Sequence, residues 1–113
     1  MLNDLAQLDR TFAAMADPVR RGMLARLSRG SASVSELARP YRISLPAVLQ
    51  HLRALERSGL VRSEKKGRVR TVQLQPKALS AAEHWIAKRR ADWEARADRL
   101  ETYLSTLQKD GDE

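Results

Sequence analysis

The sequence predicts a mainly α-helical chain carrying one small β-hairpin, an α+β arrangement, and three observations support that expectation. Apolar residues recur three and four apart through most of the 113 residues. Between Leu60 and Leu74 the period drops to two, on either side of a Lys-Lys-Gly-Arg turn. Ser, Asp, Pro and Gly stand at short intervals, at positions that start and stop helices.

Leu5, Leu8, Phe12 and Met15 line one face of a first helix, expected over residues 1–16. Asp17 then offers an N-cap oxygen and Pro18 a first-turn residue that needs no amide. The second helix buries Val19, Met23, Leu24 and Leu27 and stops at Gly30. Ser33, Val34, Ser35 and Glu36 form a capping box for a helix of barely two turns, closed by Pro40. After Tyr41, Arg42 and Ile43, Ser44 caps the next helix, with Pro46 in its first turn and Val48, Leu52 and Leu55 along its inner face. Two short helices joined this tightly, over residues 33–59, make a helix-turn-helix.

The hairpin, residues 60–75, turns Val61, Val72 and Leu74 to one face. It carries Arg62, Lys65, Lys66, Arg68 and Arg70 against the single acid Glu64. That composition suits a wing beside a phosphate backbone, and equally a solvated edge strand whose lysines prevent aggregation. After Pro76 a long helix is expected over residues 77–107, with a polar, flexible tail at 108–113. Leu79, Ile86, Trp93, Leu100 and Leu107 recur every seven residues, and Leu104 adds a second seam position. Such a helix of about 30 residues reaches about 45 Å, beyond what a small domain covers. The two terminal helices are therefore expected to form a dimer interface through Leu5, Leu8, Phe12, Leu79, Ile86, Trp93, Leu100, Leu104 and Leu107; a long helix folded back on its own domain is the alternative. The whole of residues 1–113 reads as one winged helix-turn-helix domain.

Charge narrows the function. Residues 20–70 hold 13 Lys and Arg against Glu36, Glu56 and Glu64, a local +10 within a chain of net +7. A basic block of this kind matches a polyanion, because neutralising phosphates releases condensed counterions. The absence of cysteine removes disulfides, thiolate metal sites and thiol chemistry. No apolar run approaches the roughly 20 residues of a membrane span and no secretory signal is evident, which places the protein in the cytoplasm without a membrane partner. His51 and His84 are the only histidines and neither has an evident catalytic partner. Asp92, Glu94, Asp98 and Glu101 alternate with Arg96 and Arg99 like a solvated face, so an enzyme is not expected.

Met15, Ala16, Asp17, Pro18, Val19 and Arg20, followed by the stretch from Ser44 to Leu74, resemble the opening motif and helix-turn-helix signature of the ArsR family of winged-helix repressors. The resemblance implies a homodimer that binds a roughly palindromic operator in double-stranded DNA and represses nearby genes. With Val48, Leu52 and Leu55 inward, Pro46, Ala47, Gln50 and Arg53 point outward as base-reading candidates. Ser44 doubles as cap and phosphate ligand, and the family motif places His51 on the recognition helix, where capping or packing is as good a role as a DNA contact. Lys65, Lys66, Arg68 and Arg70 supply phosphate contacts. Many relatives sense metals through cysteines in the short helix or Asp/His pairs in the last. This chain has Glu36-Leu37-Ala38-Arg39-Pro40 in the first place and a lone His84 in the second, so no metal or other cofactor is expected and no effector is indicated. A protein–protein interaction module built on the long helix, and a sequence-independent architectural DNA binder, stand as alternative functions.

Overall fold

A computed structural model describes the backbone of residues 2–111 and the side chains of residues 5–111. In chain order the elements are α1 (Leu2–Met15), α2 (Pro18–Leu27), β1 (Ala32–Ser33), α3 (Val34–Ala38), α4 (Leu45–Arg57), β2 (Val61–Lys66), β3 (Val69–Leu74) and α5 (Pro76–Gly111). The chain divides into two units, residues 1–82 and residues 83–113.

The first unit has the helix-turn-helix and wing that the sequence predicts. Met23 and Leu27 of α2, Leu37 of α3, Val48, Leu52 and Leu55 of α4, and Leu60, Val61 and Val72 around the hairpin form a single core with Ala14 and Ala32. Met23, Val48, Leu55 and Leu60 have no exposed surface at all. Aliphatic side chains build it, as an aromatic content of 4% requires. Caps set the helix limits where the sequence places them. Asp17 accepts from the Arg20 amide at 3.0 Å, and Ser33 and Glu36 close a reciprocal capping box.

The C-terminal end of α4 shows why Ser-Gly-Leu follows it. The Gly59 amide donates to Glu56 and the Leu60 amide to Leu55, both at 3.0 Å, so the last carbonyls are satisfied and the chain turns into β2. This turn needs φ of +77° at residue 59, which only glycine adopts without strain.

Three differences from the sequence reading are informative. The sheet has three strands in the order β1-β3-β2, because Ala32 pairs with Val72 and Ser33 with Thr71. Two residues are too few for a strand period to register in the sequence. The hairpin turn is only Gly67-Arg68, and Lys65 and Lys66 belong to β2, paired with Arg70 and Val69. The last helix continues through Lys109 and Asp110 to Gly111, past the expected end at residue 107; Asp112 and Glu113 of the expected tail lie outside the described residues.

The second unit is the body of α5. Along it Ile86, Trp93, Leu100, Leu104 and Leu107 are each about half exposed or more, with Trp93 at 69%. Leu79, placed by sequence in the same seam, instead packs against the core of its own unit. Arg89 lies over the Trp85 ring, 5.1 Å from its centroid.

Candidate nucleic-acid interface

The α3–α4 pair carries the candidate reading surface. Ser44 is the N-cap of α4, its hydroxyl oxygen accepting from the Ala47 amide at 3.3 Å, which leaves the O–H free to donate. With Val48, Leu52 and Leu55 buried, Pro46, Gln50, Arg53 and Arg57 are exposed on the opposite face, and Ala47 is half-buried. Arg57 shares the face of Gln50 and Arg53 at helical spacing, a signal present in the sequence but passed over there.

His51 does not stand on that outer face. Its Nδ1 accepts from Nε of Arg20 at 3.2 Å and lies 3.8 Å from Oδ2 of Asp17. An arginine can only donate, so Nδ1 is the unprotonated nitrogen and the ring is held toward α2. The Asp-Pro-x-Arg start of α2 and the histidine of the recognition helix thus form one cluster. The Asp17 carboxyl is held below the usual aspartate range, chiefly by the Arg20 backbone N–H, with the charge of Arg20 adding to it against some desolvation.

The wing presents its cations to solvent: Arg62, Lys65, Lys66, Arg68 and Arg70 are all exposed. Lys65 and Arg70 stand directly opposite each other across the β2–β3 ladder. Like charges in that relation repel, so the pair weakens the free hairpin and suits an anionic partner. Arg70 also donates to the Ser63 hydroxyl at 3.1 Å, and Ser63 donates to Glu56 near the end of α4. This hydrogen-bonded chain ties the wing to the end of α4 through Glu56.

Two clefts join the helix to the wing. One, of about 230 Å³, brings Arg53 and Arg70 together with Leu49, Glu56 and Ser63. The other, of about 300 Å³, lies between the start of α3, the start of α4 and the wing, and includes Ser35, Leu45, Arg68 and Val69. Leu45 and Val69 are more than half exposed, and apolar surface beside such cations can meet thymine methyl groups. Neither stands on a buried stripe, so the helical and strand periods of the sequence do not single them out. No group of three or more His, Cys, Asp and Glu able to hold a metal ion occurs among the described residues. Nor is any helix there long and apolar enough to cross a membrane.

A helix-turn-helix domain family matches residues 15–64. The HTH-type transcriptional regulator Rv2034 of Mycobacterium tuberculosis is 44% identical over 73 residues, which are 65% of this chain and 68% of that protein. A crystal structure of an ArsR family transcriptional regulator superposes with a TM-score of 0.76 at 47% identity, covering 79% of this chain and 92% of that one. This chain belongs to the ArsR family. An ArsR-like regulator from Rhodococcus sp. RHA1 extends the likeness to 87% of this chain, at 32% identity and a TM-score of 0.74. The transcriptional repressor SdpR of Bacillus subtilis is 27% identical over 79 residues, 70% of this chain and 88% of that protein. As an ArsR family member the protein is a transcriptional regulator with a DNA-binding winged helix-turn-helix, and not an enzyme.

Proposed function

We propose that this ArsR family member is a cytoplasmic repressor that binds a roughly palindromic operator as a homodimer. The observation that carries the reading is the surface of α4. Gln50 and Arg53 stand exposed on a helix whose other side is locked into the core, beside a wing of exposed cations. Gln50 has the amide geometry to pair with an adenine edge, and Arg53 can pair with guanine or phosphate. Ser44, Lys65, Lys66, Arg68 and Arg70 hold the backbone and fix the register. The likeness to SdpR, a repressor, supports the direction of regulation.

The dimer rests on α5. A row of exposed Ile86, Trp93, Leu100, Leu104 and Leu107 is more apolar surface than a lone helix retains in water. A second copy would supply the matching seam and place two recognition helices in successive major grooves. Footprinting on the DNA upstream of its own gene, with scrambled DNA of equal length as control, tests the proposal. A protected segment with two-fold symmetry supports it, and uniform or absent protection refutes it.

A further inference from the structure

On the flank of α4 away from the wing, a hollow of about 330 Å³ lies between α1, α2 and α4. It is lined by Arg10, Arg20 and Arg57 over a floor of Ala13, Ala14 and Ala54. We propose that this hollow is an oxyanion site that takes a backbone phosphate of bound DNA, on the groove edge opposite the one met by the wing. The inference rests on the DNA-binding reading above and adds a contact region to it.

Three features point to a phosphate. Three arginines line one opening, and no carboxylate lines it. Arg20 gives its Nε to His51 and feels the charge of Asp17, which does not line the hollow, Arg10 donates to the neutral Gln7 side chain, and Arg57 has no ion pair among the described residues. A last-turn arginine is favoured by the helix dipole, which accounts for Arg57 being basic but not for three arginines lining one hollow. The floor is all alanine, so nothing bulky keeps a tetrahedral anion from the forks, which match phosphate oxygens two at a time.

Position selects the source of that phosphate. At 3.6 residues per turn, Leu49 and Glu56, which line the wing-side cleft, lie on one flank of α4, and Ala54 lies on the other. A helix seated in the major groove has a phosphate backbone along each flank. The wing serves one of them, and the arginine hollow is the cationic feature placed to serve the other.

The test is the salt dependence of binding for the full-length wild type, Arg57→Ala, Arg10→Ala and Arg57→Lys, on footprinted and scrambled duplexes. Each alanine variant should lower the slope of log K against log salt by about 0.9, one phosphate's worth, and weaken both duplexes about eightfold at 0.1 M salt. Arg57→Lys should keep most of the slope, and thermal melts of the free variants should show them folded. Wild-type slopes in both alanine variants, in a protein that binds DNA with a steep slope, would overturn this site alone. A wild type that binds neither duplex would overturn the DNA-binding reading as well. Inorganic phosphate titrated against the arginine side-chain NMR signals at constant ionic strength separates the sources. Saturation by phosphate with unchanged DNA slopes would make the hollow a free-anion site and refute the backbone assignment.

Discussion

Asp17 ties α2 to α4 at the smallest scale. It caps α2, faces Arg20, and through Arg20 meets His51 on the recognition helix. Removing it with Asp17→Ala should cost about 1 kcal/mol, the usual worth of an N-cap, read from urea unfolding. The carboxyl is held below its ordinary range in the folded protein, so its contribution is full at neutral pH and is lost as pH falls through the folded value. The wild type and Asp17→Ala should therefore converge in stability at strongly acid pH; a constant difference down to that pH would show that the charge plays no part. This cluster was half legible in the sequence. The cap follows from Asp-Pro, but no helical period links Arg20 to His51, 31 residues away. Thr11 is similar. It is almost fully buried, and its hydroxyl donates to carbonyls of Gln7 and Ser58, at 3.0 and 3.2 Å. In the sequence it reads only as a polar neighbour of Phe12.

At the scale of elements, the turn out of α4 couples the recognition helix to both α1 and the wing. Ser58 offers its carbonyl to Thr11 and Gln7, and Gly59 supplies the left-handed residue that lets Leu60 return to the core. A side chain at residue 59 would also meet the Gln7 amide nitrogen at 3.2 Å. Gly59→Ala should lower stability by about 1–2 kcal/mol for the left-handed backbone alone, measured by thermal or urea unfolding. An unchanged midpoint would mean that the turn relaxes to another conformation. The wing divides its labour differently from α4. Lys66→Ala should weaken operator and random duplexes by similar factors and reduce the salt slope by about one, because phosphates carry no sequence. The order of helices and the hairpin were legible because caps, breakers and periods are local signals. Strand β1 was not, since its two residues are strand only by pairing with β3.

At the scale of the whole molecule, the proposed dimer through the exposed seam of α5 predicts that oligomerisation and DNA binding are linked. Leu100→Asp puts a charge in the middle of the seam, so it should halve the sedimenting mass at micromolar concentration and weaken operator binding together. Loss of the dimer without loss of operator affinity would separate the two properties. Of the surface proposed to meet DNA, the exposed face of α4 could be laid out from the sequence by wheel geometry. The Glu56–Ser63–Arg70 chain could not, because it joins residues that only the folded hairpin brings together.

The most direct measurement compares the affinity of the wild type and of Gln50→Ala for the footprinted duplex and for a scrambled duplex of equal length, at one fixed salt concentration. If α4 reads bases, the wild type prefers its own site, and Gln50→Ala narrows that preference by about 1–3 kcal/mol while scrambled binding is little changed. Equal wild-type affinity for both duplexes, or a preference that survives Gln50→Ala but collapses in Lys66→Ala, would contradict the assignment of sequence reading to the recognition helix.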